Sequence, residues 1–167
     1  RNQALPACTG GWSGIVTNTV SGMRRTLALW FPFLPADRLR IQDPDHWTRT
    51  SDAPPDATIV FAGKQRGALV IRAVDACAQS IGLAPGLTLA DARARHGDVR
   101  VADMDEAADR HWLNKLAQHA IRWTPLVTIL PPDGITMDVT GSAHLFGGEA
   151  GLVAQVEDEF ASIGMTI

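Results

Sequence analysis

Two carboxylates near the end of the chain are of the type that metal-assisted phosphoryl transfer uses, and raise the question of whether the others it needs are present. In PPDGITMDVTG, Pro131 to Gly141, Asp133 begins an extended segment and Asp138 follows five residues later, just before a turn. Two-metal transfer needs about three carboxylates around ions roughly 4 Å apart. Side chains alternate along a strand, so residues five apart point to opposite faces and share no ion without a bend. The first apolar run, TLALWFPF, contains no acid; Asp37 is the nearest and falls on the helix that follows.

Other chemistries find less support. GKQRG (Gly63–Gly67) has glycines and cations, but a phosphate loop wants G-x-x-x-x-G-K-[ST] before a helix. Here Lys64 follows the first glycine and a strand comes next, so the segment reads as a hairpin turn. Five histidines, His46, His96, His111, His119 and His144, have no HExxH or CxxC beside them, which argues against a metal site. No serine sits in a G-x-S-x-G elbow. TGSAHLFGG (Thr140–Gly148) reads equally as a turn with glycines at its bends or as a strand-end loop facing a cleft.

The elements that must position these residues alternate between strand and helix patterns. TLALWF (Thr26–Phe31) is a buried strand stopped by Pro32, and Pro35 suits the first turn of a helix from Ala36 to about Ile41. Asp43–Ala57 is a polar loop rich in Pro and Asp. Thr58–Ala62 and Ala68–Val74 form a hairpin. Asp75 caps a helix to Ser80, and LTLADARARH forms another. Val99–Ala102 is a short strand. Asp103 with Glu106 starts a helix reaching about Trp123, with Trp112, Leu113, Leu116, Ala120 and Trp123 on one face. Leu126–Leu130 and Ile135–Val139 are strands joined by PPDG. Glu149–Ser162 is an amphipathic helix, and Met165–Ile167 starts one more strand.

The predicted class is therefore α+β: an antiparallel sheet with helices on one face, and an inserted lobe formed by a hairpin and two short helices. Length and composition agree. The 167 residues fit one domain or two small lobes, 46% are apolar, and the 20% charged residues are interspersed. A net charge of −3 argues against strong autonomous binding to nucleic acid. Cys8 and Cys77 have no disulfide or metal spacing, as in a reducing compartment. No apolar run approaches a membrane span of roughly 20 residues. Residues 1–22 show no sustained periodicity and read as a disordered leader or translation artefact before Met23. The final GMTI reads as a strand cut short, so the chain is expected to be a fragment.

From Arg25 to Ile167 these pieces, in this order, resemble the Y-family DNA polymerases, the translesion enzymes with a UmuC-type domain. Those enzymes carry an Asp-x-Asp-x-Phe strand end, a fingers insertion with Ser-Tyr-x-Ala-Arg and Gly-Met-x-Leu-x-x-Ala, and then Ser-Ile-Asp-Glu-Ala-Tyr-Leu-Asp-Val-Thr. Phe33, Gly82, Gly86 in GLTLADA, and Asp138–Gly141 (DVTG) match. The resemblance implies a ferredoxin-like palm in residues 23–41 and 100–167, the second part truncated, with a fingers-like insertion at 42–99.

The same alignment strips the chemistry. Leu29 and Phe31 occupy the two Asp positions, Asp133 remains, and Gly134 replaces the Glu. Ala76 and Gln79 replace the Tyr and Arg that touch the incoming triphosphate. A one-residue slip offers only Ala28, Trp30 or Pro32, none acidic. LALWFPFLPADRL and DVTGSAHLFGGE are similar to the ImuB-type, non-catalytic subgroup. That resemblance implies a pseudo-polymerase without cofactor, an adaptor in damage-induced (SOS) translesion synthesis and mutagenesis at the bacterial nucleoid in the cytoplasm. It implies as partners damaged DNA, held weakly here, and a sliding clamp, an ImuA-like protein and an error-prone C-family polymerase through segments beyond residue 167. The alternative is an active, divergent polymerase using Mg²⁺ with Asp133, Asp37 and Asp138.

Overall fold

The computed structural model describes residues 15–18 (backbone only), 24–44 and 58–167. In chain order they form β1 (Ile15–Asn18), β2 (Thr26–Trp30), α1 (Leu34–Gln42), β3 (Ile59–Gln65), β4 (Ala68–Val74), α2 (Ala76–Ser80) and α3 (Leu89–Arg95). Then come β5 (Arg100–Asp103), α4 (Glu106–Ala120), β6 (Val127–Leu130), β7 (Gly134–Asp138), a 3₁₀ turn (Ala143–Phe146) and α5 (Gly148–Ser162). They divide into two units, Ser13–Gln42 with Asp105–Ile167, and Asp43–Met104. His46, Cys8 and most of the polar loop lie outside the described residues.

The first unit is built on a sheet of order β1-β2-β7-β6, antiparallel throughout. Alternation along β2 and β7 sends Leu27, Leu29, Ile135 and Met137 to one face. There they pack with Leu34 of α1, Leu113 and Leu116 of α4, and Leu152, Val156 and Phe160 of α5. Each such fully buried side chain contributes about 1.5–3 kcal/mol. Phe31, just past β2, is fully buried with its ring 5.3 Å from that of Phe160, edge to face. Arg38 donates through Nε to Asp109 Oδ1 at 2.7 Å, a buried pair joining α1 to α4. Desolvation pushes the Asp109 carboxyl up against the pull of Arg38.

Several expectations need correction here. Ile15–Asn18, within the supposed leader, pairs with β2 from Ile15↔Leu29 to Asn18↔Thr26. Its β-branched Ile-Val-Thr suits a strand, and four residues are too few to show a period. Asp105, not Asp103, caps α4, its side chain accepting from the Ala108 N–H at 2.9 Å. Met165–Ile167 forms no strand. Gly164 turns the chain with φ +82, and the Thr166 N–H goes to Asp37 Oδ2 at 2.9 Å instead of to a neighbouring strand.

The second unit has a sheet of order β4-β3-β5. Arg66 (φ 49) and Gly67 (φ 83) make the hairpin turn, so β3 runs on through Gln65 and GKQRG is mostly strand. Asp75 caps α2 by accepting from the Ala78 N–H at 2.7 Å, and Thr88 caps α3 through the Asp91 N–H. A separate core of Val60, Ala62, Ile71, Leu83, Leu89 and Ala92 fills it. β5 pairs parallel with β3, Ile59↔Arg100 to Ala62↔Asp103, which moves this strand out of the palm where the sequence had placed it. Its apolar pattern fits either sheet; only the pairing partner decides.

Candidate active site

Asp133 lies in the turn between β6 and β7, and β2 fixes it twice. The Phe31 N–H donates to the Asp133 carbonyl at 2.9 Å, extending the β2–β7 ladder by one residue. The Trp30 indole Nε1–H donates to Asp133 Oδ2 at 3.0 Å. Trp30 pairs with Gly134 across the strands, and Gly134 pairs with Leu130. Leu130, Gly134 and Trp30 therefore form one row across three strands, on the face turned away from α4 and α5. Leu130 and Trp30 are both exposed there. A Cβ added at Gly134 would sit 3.1 Å from the Leu130 carbonyl oxygen and 3.3 Å from its Cβ, so a side chain there requires the hairpin to shift.

Leu29 and Phe31, which the resemblance aligns with the two Asp of the polymerase motif, do not face this row. They are 2% and 0% exposed and belong to the helix-packed core. The β2 residues on the open face are Thr26, Ala28 and Trp30, and a one-residue slip offers the last two. The sequence conceals Trp30, because TLALWF reads as uniformly buried. Counting alternate positions outward from Leu27 and Leu29 is the signal that would have placed it outside.

Asp133 and Asp138 are not brought together. The turn supplies the bend that lets the Asp133 carboxylate reach Trp30, so separation rather than opposite facing divides the two. Five residues of strand span about 16 Å. Asp138 instead organises the other end of β7. Its Oδ1 accepts from the Thr140 N–H at 3.1 Å, and Thr140 Oγ1 accepts from the Arg25 N–H at 2.7 Å. The Thr140 hydroxyl, then its N–H, hold the Asp138 carboxyl below the usual range, helped by Arg24 at 3.7 Å. Asp37 is buried and accepts from Thr166. Among the described residues no three of His, Cys, Asp and Glu are grouped to hold a metal ion. The residues around Asp133, an indole and a glycine, do not fit a pair of divalent ions, which need oxygens at about 2.1 Å.

The remaining motif positions serve the backbone. Phe33 is buried. Gly82 and Gly86 take φ +84 and +97, values that favour glycine. Gly141 lies in the exposed turn after Asp138. Ala76 and Gln79 fall one turn apart on α2, whose five residues carry no cation. His119 Nε2 meets Glu159 Oε1 at 2.8 Å, and Arg122 also binds Glu159, so this histidine joins α4 to α5. His96 Nε2 meets the Ile81 carbonyl at 3.2 Å. Among the basic residues of the first unit, Arg38 pairs with Asp109, Arg25 with Glu149 at 3.1 Å, and the exposed Arg24 with Asp138 at 3.7 Å.

No family model matches the chain. Over 85 residues it is 41% identical to Protein ImuB of Caulobacter vibrioides strain NA1000 / CB15N, a stretch covering 51% of this chain and 19% of that protein. The figures are the same for Protein ImuB of strain ATCC 19089 / CIP 103742 / CB 15. Among solved structures, the chain superposes on DinB from Sulfolobus solfataricus with a TM-score of 0.66 at 14% identity, covering 84% of this chain and 40% of that one. An insertion ternary complex of Dbh DNA polymerase gives 0.69 at 13%, covering 84% and 40%. A Y-family DNA polymerase chimera of Dbh and Dpo4 gives 0.67 at 12%, covering 82% and 39%. The chain thus spans about a fifth of the ImuB relatives and about two fifths of the polymerase chains. It has the α+β fold of Y-family polymerases, and the ImuB-type resemblance read from its sequence is borne out.

Proposed function

We propose that this chain is the palm-and-fingers part of a catalytically inactive Y-family polymerase homologue, an adaptor in damage-induced translesion synthesis and mutagenesis. The observation that carries the reading is the Asp133 carboxylate. Its neighbours on the open face are a tryptophan that hydrogen-bonds it and a glycine too crowded to accept a side chain without a shift. One carboxylate gives two catalytic cations too few oxygens. Without them the charge that develops on the transferring phosphoryl group has no counter-charge, and transfer loses its main source of acceleration. The active alternative with Asp133, Asp37 and Asp138 gains no support from geometry, since those carboxylates serve separate local contacts.

The adaptor role draws on the likeness to ImuB and extends to the whole protein. Its partners in this proposal are damaged DNA, a sliding clamp, an ImuA-like protein and an error-prone C-family polymerase, met in the bacterial cytoplasm at the nucleoid. No helix among the described residues is long and apolar enough to cross a membrane. Primer extension by the full-length protein with Mg²⁺ or Mn²⁺ tests the central claim. No incorporation above background is expected; incorporation abolished by Asp133→Ala overturns it.

A further inference from the structure

We propose that Trp30 plugs the place a divalent ion would take at Asp133, and that the residues deciding this are Trp30 and Gly134, not Leu29 and Phe31. The inference rests on the inactive reading above and names the residues that enforce it.

Three observations carry it. The indole Nε1–H lies 3.0 Å from Asp133 Oδ2, between residues 103 apart in sequence, so the bond is a product of the tertiary fold. An ion bound to that oxygen would sit about 2.1 Å from it. Indole and ion cannot both occupy that approach. Next, the register opposes Trp30 to Gly134, with the Phe31 N–H on the Asp133 carbonyl, so the indole and the carboxylate are held at the same end of two paired strands. Finally, Leu29 and Phe31 point to the opposite face of β2 and are sealed in the core, where a carboxylate would meet neither Asp133 nor solvent.

Trp30 also leaves 43% of its surface exposed on the sheet. A tryptophan in that position gives up much of the burial that usually stabilises so large a side chain. What it gains is the charge-assisted bond to the carboxylate. A neutral N–H compensates part of the anion's charge, which lets Asp133 persist in a site that has lost its other oxygens.

The test compares Mn²⁺ binding, read as free Mn²⁺ by electron paramagnetic resonance, for the full chain and its variants, with circular dichroism reporting folding. Trp30→Asp should bind Mn²⁺ at least tenfold more tightly than the unaltered protein, because it opens the approach and supplies a second carboxylate. Trp30→Asp/Asp133→Ala should lose the gain, and Leu29→Asp should show none. A folded Trp30→Asp protein that binds no better than the original overturns the proposal, as does a gain that survives removal of Asp133. A second measurement needs no disruptive substitution. The Trp30 indole N–H resonance, assigned by its loss in Trp30→Phe, should stay sharp under substoichiometric Mn²⁺ in the unaltered protein; selective broadening overturns the plug. Failure here leaves the inactive reading standing, because that reading falls only to primer extension by the unaltered protein.

Discussion

A carboxylate placed at Leu29 and one placed at Ala28 differ by a single position but face opposite sides of the sheet. Leu29→Asp puts an unpaired charge among the side chains of α4 and α5 and should lower the unfolding free energy by roughly 4 kcal/mol. Ala28→Asp, on the open face, should cost about 1 kcal/mol, chiefly through strand propensity. Urea unfolding of the two variants measures the difference, and equal losses would mean that the face assignment is wrong. Asp138 offers a test by pH. Its carboxyl is held below the ordinary value of 3.8 in the folded state by Thr140 and Arg24. A carboxyl with a depressed folded pKa adds stability above its unfolded pKa and loses it as pH falls through the folded one. Asp138→Asn should therefore be less stable than the original at pH 7, and the two should converge as pH falls through and below 3.8. A gap that stays constant would assign the effect to shape rather than charge.

At the scale of elements, α5 carries a glycine whose role opposes its propensity. A Cβ at Gly151 would collide with the Phe146 carbonyl of the preceding 3₁₀ turn. Gly→Ala inside a helix normally stabilises by about 1 kcal/mol. Gly151→Ala should instead destabilise by about 2 kcal/mol, within the range for overpacking, and a rise in melting temperature would refute the contact. The elements themselves were largely legible in the sequence. The β3–β4 hairpin, the apolar stripe of α4, α5, and the β6–β7 hairpin all declare themselves through period, caps and turn residues. What stayed hidden was non-local. The β5 pattern does not say that its partner is β3, and the four residues of β1 carry no period. The apolar terminus after Gly164 looks like a strand until the Asp37 carboxylate takes its N–H. The site follows the same division. Asp133 could be read from residue type, whereas Trp30 needed the register of strands more than a hundred residues apart.

At the scale of the molecule, the net charge is −3 and the guanidinium groups of Arg24, Arg25 and Arg38 each face a carboxylate, which weakens their pull on phosphates. Binding of this chain to duplex DNA in moderate salt should be weaker than micromolar, measured by fluorescence anisotropy with a labelled duplex; nanomolar affinity would contradict it. The interposition of Asp43–Met104 between the two halves of the first unit has a further consequence, for synthesis. β2 leaves the ribosome long before β7, its neighbour in the sheet, exists. At 5–20 residues per second the interval of about 100 residues lasts roughly 5–20 s. Through that time Leu27, Leu29 and Phe31 have no native core to enter, while the inserted unit, contiguous in sequence, can complete its own. The nascent chain thus carries a finished lobe and an orphaned apolar strand, the kind of transiently exposed segment for which chaperones exist.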